Sequence, residues 1–408
     1  MTNLKPLKSS IGQPAEGQDR YYLRAKIVKK ILRKLDNGEN LVISAPRRIG
    51  KSSLLKYINT HPQHDQIIKY MIVQSINSSE EFFKKLYGEL IDDKEIYAGV
   101  KGYLKYASLS VSNYIRNFRE VSFEVFPLPI KGKLQLSSAE INYYDECMAL
   151  MQSFKNKKIL IFIDEFPDAL SNILQRDEAE AVAFLQEHRV MRQELSHSHI
   201  QFVYTGSTGL RNIVKKLNKL DLTNDLNNIS IPPFSKHESK ELIQRLVLGC
   251  QAYNIDFSLS EQVIDYIIER ITWRLPYYLQ IIIDGLFEYY EDTEDIIDTD
   301  TVESVLSALV KSKSNHSDYF ENWRRRLKET FTIMEYQFSV SLLDYIAEQG
   351  SMSHRYYIKL SEQSELEKEA CKFVLESLEY DGYLSENKNH YGFNSFLLKE
   401  WWYLNVTC

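Results

Sequence analysis

Short apolar segments separated by amphipathic ones occupy most of the first 234 residues. Each wholly apolar segment predicts a strand buried on both faces, and strands that alternate with helices favour a parallel sheet. Residues 1–19 are polar and rich in Gly, Pro, Ser and Gln, which predicts an extended lead-in. Apolar segments predict strands at 41–43, 67–73, 159–163, 201–205 and 229–231.

Helical periodicity replaces this pattern from about residue 235 onward. Capping boxes at Ser235 and Ser258 predict two helix starts, Pro276 predicts a third, and a fourth helix is expected near Asp300. Towards the end of the chain, the order of helix, short helix, longer helix and two short strands indicates a winged helix-turn-helix. The predicted domains are a core (1–234), a helical lid (235–312), a linking helix (313–332) and a winged helix (333–408).

Residues 92–140 interrupt the pattern of the core. Apolar and polar residues alternate there around Pro127 and Pro129, which predicts a two-stranded insertion. Nothing in the sequence assigns this insertion a role.

The segment from Ala45 to Ser53 combines residue types that bind phosphate. It lies between a predicted strand and a predicted helix and fits G-x-x-x-x-G-K-[ST], with Ala45 in place of the first glycine. Gly50 allows the backbone N–H groups to turn towards phosphates. Lys51 would then contact the β- and γ-phosphates, and the Ser52 hydroxyl would ligate Mg²⁺. Taken alone, such a match is also compatible with an ordinary loop before a helix.

Two carboxylates, Asp164 and Glu165, follow the most apolar predicted strand. Ligands of parallel sheets bind beyond the carboxyl ends of the strands. Asp164 is therefore predicted to hold Mg²⁺ through water, and Glu165 to orient and deprotonate an attacking water. A solvated turn is the alternative, which the phosphate loop makes less favoured. At the next strand end, Thr205 and Ser207 are candidate sensors of the γ-phosphate, and a plain Gly/Ser loop is the alternative.

Composition narrows the class of protein. The chain has 408 residues, of which 44% are hydrophobic and 26% charged, as in globular proteins. No apolar run approaches the roughly 20 residues that span a bilayer, and the start has no secretory h-region, so we expect a cytoplasmic protein with no membrane association. The four cysteines are far apart and lack zinc spacing. The acidic stretch 288–300 favours a solvated loop over a divalent-metal loop.

Together, these motifs resemble those of archaeal and bacterial STAND-class ATPases within the AAA+-like P-loop NTPases, which are related to archaeal origin-recognition ATPases. The resemblance covers nearly the whole chain. It rests on Tyr22-Leu23-Arg24, Ala45-Pro46-Arg47-Arg48-Ile49-Gly50-Lys51-Ser52, Ile163-Asp164-Glu165-Phe166-Pro167, Thr205-Gly206-Ser207, Pro232-Pro233-Phe234 and Pro276-Tyr277-Tyr278-Leu279-Gln280.

The resemblance implies an α/β AAA+-like core with a five-stranded parallel sheet, a helical lid and a winged-helix tail, in which nucleotide state sets the angle between core and tail. Pro276 of the lid would touch the nucleotide. Arg274 stands where the family usually has glycine, and is either a lid sensor of phosphate or a surface arginine. The candidate ATP-binding residues are Arg24, Ala45, Pro46, Arg47, Arg48, Ile49, Gly50, Lys51, Ser52, Ser53 and Pro276.

Arg189 and Arg192 lie on the predicted helix that precedes the sensor strand. They are candidates for action across a subunit boundary. A solvated helix face is the favoured alternative for both arginines.

These features predict a Mg²⁺-dependent ATPase with slow turnover, in which Lys51 and Glu165 are catalytic, and which switches the binding of a protein partner or its self-association. An ATP-gated DNA-binding regulator or loader is the alternative from another class. A scaffold that never hydrolyses ATP is a third, against which the intact Lys51, Asp164 and Glu165 argue.

DNA binding is not favoured by the sequence. The formal charge of the chain is −6, and the stretch 364–381, which holds the third tail helix predicted over 365–380, has six acidic residues and two lysines. Such a surface would repel a phosphate backbone. Any DNA contact is expected from Arg324 to Arg326 or from the basic helix Arg24 to Lys34.

Overall fold

The computed structural model describes residues 4–63, 66–96, 142–154, 157–206, 209–253, 256–311 and 317–408. The predicted insertion beyond residue 96 and the predicted sensor Ser207 lie outside these residues.

A parallel sheet of five strands forms the centre of the core domain, as predicted, with the strand order β2-β3-β4-β1-β5. Ile43 of β1 pairs with Thr205 of β4, and Ile163 of β3 pairs with Tyr204 of β4. The residues that follow β1, β3 and β4 therefore meet at one edge of the sheet. The strands are β1 (Leu41–Ser44), β2 (Gln66–Ile72), β3 (Lys158–Asp164), β4 (Ile200–Thr205) and β5 (Asn227–Ser230).

Helices cover both faces of this sheet. Alternate residues of β3 show the two sides: Ile161 belongs to one hydrophobic core and Phe162 to the other. Burial on both faces explains why β3 is apolar at every position from 159 to 163. The helices of the core domain are α1 (Ala25–Asp36), α2 (Lys51–Thr60), α3 (Ser79–Ile91), α4 (Tyr143–Ser153), α5 (Phe166–Arg176), α6 (Glu178–Glu194) and α7 (Leu210–Lys216).

Four helices follow in the lid, and one more links the lid to the tail. Ser235 forms the predicted capping box, and Pro276 is the first residue of its helix, also as predicted. The predicted cap at Ser258 is wrong, because Ser260 accepts the hydrogen bond from the backbone N–H of Val263 and the helix begins at residue 261. The bounds are α8 (Lys236–Gln251), α9 (Glu261–Arg270), α10 (Pro276–Thr293), α11 (Thr299–Leu309) and α12 (Ser317–Thr330).

The tail has the predicted winged helix-turn-helix order. Two strands pair as the predicted hairpin around Lys388 and Asn389, both of which have positive φ, and a short third strand joins them. The predicted third helix starts at Lys368, not at Glu365, so two of the acidic residues, Glu365 and Glu367, precede it. The bounds are α13 (Ile333–Gln349), β6 (Met352–Ser353), α14 (His354–Gln363), α15 (Lys368–Tyr380), β7 (Leu384–Asn387), β8 (His390–Phe393) and α16 (Phe396–Trp402).

Candidate functional site

The loop between β1 and α2 contains the predicted phosphate-binding residues. Gly50, the N-cap of α2, has a φ of 97°, and Arg48 has a φ of 66°. These left-handed steps let the loop turn back on itself, and at Gly50 the absence of a Cβ removes the strain. No side chain caps α2, so its first-turn N–H groups can donate to an anion.

Lys51 lies across this loop. It is 7% exposed, and its Nζ donates hydrogen bonds to the carbonyl oxygens of Ala45 at 2.7 Å and of Pro46 at 3.0 Å. Burial lowers the pKa of Lys51 to about 8, while the nearby carboxylates of Glu165 and Asp164 oppose that shift. The lysine is therefore mostly charged at neutral pH, with its ammonium at the centre of the loop.

Asp164 ends β3 beside the start of α2. It is 2% exposed, and its Oδ2 accepts a hydrogen bond from the Tyr70 hydroxyl at 2.6 Å. Burial raises the pKa of Asp164, while hydrogen bonds from Tyr70 and Ser52 lower it. A carboxylate and a serine hydroxyl side by side are oxygen donors of the kind that Mg²⁺ prefers, so Asp164 and Ser52 fit the predicted metal site.

Glu165 follows at the N-cap of α5 with a φ of 61°. A non-glycine residue in this region is strained, and such strain is often found at functional sites. Gly206, just after β4, packs tightly beside it: a Cβ there would lie 2.4 Å from Cδ of Pro167 and 3.4 Å from Oε2 of Glu165. The glycine of the predicted sensor loop is thus needed for the close approach of the two strand ends.

A cavity of about 620 Å³ opens beside these groups. Its lining includes most of the predicted ATP-binding residues, together with Glu165 and apolar residues of the lid such as Leu242 and Leu246. One end of the cavity is therefore cationic and polar, and another is apolar, which suits a nucleotide. The predicted residues that line it are Arg24, Arg47, Arg48, Ile49, Gly50, Lys51, Ser52, Ser53, Glu165 and Pro276.

Other predicted residues lie around this cavity without lining it. Ala45 and Thr205 line a smaller adjoining recess, and Pro46 lies against Gly382 of the tail. Thr205 is 1% exposed, and its hydroxyl donates to the carbonyl oxygen of Ile43 at 3.4 Å. Arg274 does not line the cavity, and its Nε donates to the carbonyl oxygen of Phe234 at 3.0 Å.

Arg192 is buried, so the interpretation of a solvated helix face is wrong for this residue. It is 3% exposed, and its guanidinium donates to both carboxylate oxygens of Asp225, at 2.6 and 2.8 Å. Nη2, which makes one of these two bonds, also donates to the carbonyl oxygen of Leu222 at 2.8 Å. Such a buried, bidentate pair holds the end of α6 to the chain before β5 and is not presented to another subunit. Arg189 is partly exposed and pairs with Asp221 at 3.0 Å.

The tail closes the smaller recess. The Tyr380 hydroxyl lies 2.7 Å from Oγ of Ser44, the last residue of β1. A Cβ on Gly209 would lie 2.4 Å from the Tyr380 ring, so the chain after β4 admits this contact only through a glycine. Glu376 of α15 also pairs with Lys215 of α7. The predicted reading helix of the winged domain is therefore packed on the core.

Sequence reasoning missed the groups that the linking helix brings to this region. Asn322 accepts a hydrogen bond from Nη1 of Arg47 at 2.9 Å, and Arg325 lines the cavity. Arg326 is 8% exposed and lies near enough to Lys51 and Arg47 to disfavour their charged forms. Its burial contradicts the expectation of a DNA contact at this arginine. An Arg-Arg-Arg run alone could not distinguish a solvent-facing side chain from an inward one.

Tyr70 and the lead-in are further site components that the sequence did not reveal. Tyr70 occupies a partly buried position of β2 that pattern analysis treats as ordinary strand packing. Five lead-in residues, Ser10, Gly12, Gln13, Pro14 and Ala15, line the cavity. Their polar composition resembles that of any surface extension.

Comparisons with known proteins support the fold. No protein-family profile and no curated protein matches the chain. Among solved structures, it resembles a Walker-type ATPase of Pyrococcus abyssi with a TM-score of 0.57 and 17% identity over 96% of this chain and 98% of that one. It also resembles the ORC2 protein of Aeropyrum pernix, solved in ADPNP–ADP complexes, with a TM-score of 0.50 and 11% identity over 98% and 95%. At these identities the likeness establishes the fold: an α/β AAA+-type core with a C-terminal winged helix.

Proposed function

We propose that this protein is a Mg²⁺-dependent ATPase that acts as a slow molecular switch. The observation that carries the proposal is the meeting of four groups at one edge of the parallel sheet: Lys51, Ser52, Asp164 and Glu165. The cavity beside them has a cationic loop at one end and an apolar wall at the other. Nucleotide in the ORC2 structure of the same fold gives further support.

Each group has a distinct role in this proposal. Lys51 and the N–H groups of the loop neutralise the β- and γ-phosphates. Ser52 and Asp164 would hold Mg²⁺, which would supply charge to stabilise the phosphates. Glu165 accepts a proton from the attacking water, and its position at the start of α5 keeps its carboxylate beside the loop.

The switch part of the proposal rests on the contacts of the tail. Tyr380 contacts Ser44 at the end of β1, and Gly382 lies against Pro46 in the phosphate loop. Asn322 of the linking helix accepts a hydrogen bond from Arg47 of the same loop. A ligand that reshapes the loop therefore changes the surface on which the tail rests. The proposal also includes the domain boundaries predicted from the sequence, membership of the STAND class and the binding of a protein partner.

Two variants test the chemistry. Lys51→Ala should weaken binding of a fluorescent ATP analogue by at least about 100-fold, because a charged hydrogen-bond donor to phosphate is lost. Glu165→Gln should bind nucleotide as the natural protein does but lose about 100-fold or more in phosphate release, because an amide accepts no proton. Unchanged affinity in Lys51→Ala would contradict the site, and unchanged turnover in Glu165→Gln would contradict the role of that carboxylate.

A further inference from the structure

The segment from Lys5 to Asp19, here called the strap, forms one wall of the P-loop cavity and is bound to both the lid and the core. We propose that the strap belongs to the nucleotide-binding site and holds the lid against the core over a bound nucleotide, so that its release sets the rate of nucleotide exchange. This inference rests on the proposed function and concerns the regulation of the same site.

The first anchor of the strap is on α8 of the lid. The backbone N–H of Leu7 donates to the carbonyl oxygen of Arg245 at 2.8 Å, and Nε of Arg245 donates to the carbonyl oxygen of Lys5 at 2.8 Å. Leu7 is 1% exposed. A Cβ on Gly249 would lie 2.0 Å from the carbonyl oxygen of Leu7. A glycine in the helix therefore makes room for the strap backbone.

The second anchor is on α10 of the lid. The backbone N–H of Ser10 donates to Oε1 of Gln280 at 2.6 Å. Gln280 itself lines the cavity, one turn after Pro276. The strap is thus tied to two lid helices, and its second tie lies at the wall of the cavity.

The third anchor is on α2, the helix that begins at the P-loop lysine. The backbone N–H of Ala15 donates to Oγ of Ser53 at 2.8 Å, and Glu16 pairs with Lys56 at 2.5 Å. The backbone N–H of Lys8 donates to the carbonyl oxygen of Asp19 at 2.7 Å, which closes the strap on itself. A single loop of chain therefore connects lid and core.

The position of these anchors gives the strap a mechanical role. The cavity-lining residues lie between the lid anchors and the core anchor, so moving the lid away from the core must break one set of contacts. Two hydrogen bonds of ordinary strength change an equilibrium by about tenfold to a hundredfold. Nucleotide held beneath the strap should leave more slowly by a similar factor.

Gly249→Ala is the sharpest test, because alanine is favoured over glycine within a helix but its Cβ displaces the strap backbone. Gly88→Ala is the matched control, because Gly88 also lies in a helix and a Cβ there meets nothing within 4 Å. We expect Gly249→Ala to release a fluorescent ADP analogue about tenfold faster or more, while Gly88→Ala stays within about twofold of the natural chain.

Hydrogen exchange identifies the cause. In Gly249→Ala, the amides of Leu7, Ser10 and Ala15 should exchange faster, and in Gly88→Ala they should not. Equal rates of nucleotide release from the two variants would contradict the role proposed for the strap, while the proposed ATPase activity would still stand. Faster release without faster exchange would also contradict the strap. A natural chain that binds no nucleotide would overturn both proposals, since the strap would then have nothing to retain.

Discussion

The two faces of the central sheet are packed by different parts of the chain. On one face, the buried residues of the hydrophobic core, within the part of the chain that the structure describes, run from Ile67 to Leu222 and belong to the core domain. The hydrophobic core on the other face extends from Leu7 to Trp402 and includes residues of the strap, the lid, the linking helix and the tail. We call these the closed face and the shared face.

The two faces differ in whether a bound ligand can disturb their packing. Phe166, directly after the candidate base, packs in the closed face against Phe184 and Tyr204, with ring centroids 5.5 and 4.8 Å apart. Ile49 and Leu54, on either side of Lys51, belong to the shared face. The residue after Glu165 is thus packed in a core of local origin, while the phosphate loop is packed with segments that a ligand can displace.

The largest expected effect breaks the closed face. Phe184→Ala removes a fully buried ring and should lower the free energy of unfolding by about 3–5 kcal/mol. Nucleotide affinity should stay within about threefold, because Phe184 does not line the cavity and the phosphate loop packs in the other hydrophobic core. Urea unfolding followed by circular dichroism measures the first quantity, and titration with a fluorescent nucleotide the second. A large loss of affinity without destabilisation would show that the closed face is not merely a support.

On the shared face, Asp381 offers an electrostatic test. Burial raises the pKa of Asp381 from 3.8 to about 6, although Arg326, the Gly209 N–H and Lys51 oppose the shift. Below pH 3.8 the carboxyl is protonated in both the folded and the unfolded chain, so its burial does not lower the free energy of unfolding. Between pH 3.8 and about 6 the unfolded chain ionises this carboxyl while the folded chain keeps it protonated, so stability falls over this range and stays low above it.

Asp381→Asn should remove this pH dependence and stabilise the chain by about 2 kcal/mol at pH 7. The asparagine stays neutral and keeps an oxygen that can accept the hydrogen bond from Gly209. Urea unfolding between pH 4 and pH 7.5 compares the variant with the natural chain. Identical pH profiles for the two proteins would mean that Asp381 carries no such penalty.

A smaller effect is expected at the contact between tail and core. Tyr380→Phe removes the hydroxyl that lies 2.7 Å from Oγ of Ser44, and should weaken tail docking by about 1 kcal/mol. Hydrogen exchange in α15 should then increase about fivefold. Tyr253→Phe is the control, because Tyr253 is 68% exposed on the lid. Equal exchange in both variants would indicate that this contact does not hold the tail.

The two faces also differ in how far the sequence predicted them. The closed face is built from elements that apolar runs and local helix periodicity mark in the sequence. The strands of the sheet were therefore predicted to within one or two residues. The phosphate loop and the carboxylates after β3 were found because their chemistry requires a fixed spacing. By contrast, contacts such as Tyr380 with Ser44 or Ala15 with Ser53 join residues far apart in the chain. No periodicity encodes those contacts, and a polar lead-in or an arginine run has the same composition whether it is buried or free.

The last prediction is that the protein does not bind duplex DNA. It concerns α15, the helix that would enter a DNA groove, which packs in the shared face. Within α15 the acidic residues nearly balance the lysines, so charge alone argues less strongly against DNA than the sequence indicated. Docking provides the stronger argument: Glu376 pairs with Lys215, and Tyr380 lies against Ser44. Phosphate contacts normally require lysines and arginines on an open surface.

We therefore expect the full chain, and the isolated tail 333–408, to retain no duplex DNA in a mobility-shift assay at submicromolar protein and about 150 mM salt. Among the residues proposed for DNA contact, α1 has several exposed lysines, and Arg325 of the linking helix is also exposed. Any retention at low salt should disappear in the double variant Lys29→Glu and Lys30→Glu. A salt-resistant shift by the isolated tail would show that its helix can bind DNA. The same shift by the full chain would show that the helix leaves the core, and the shared face would then be a gate for nucleic acid rather than a docking surface for protein.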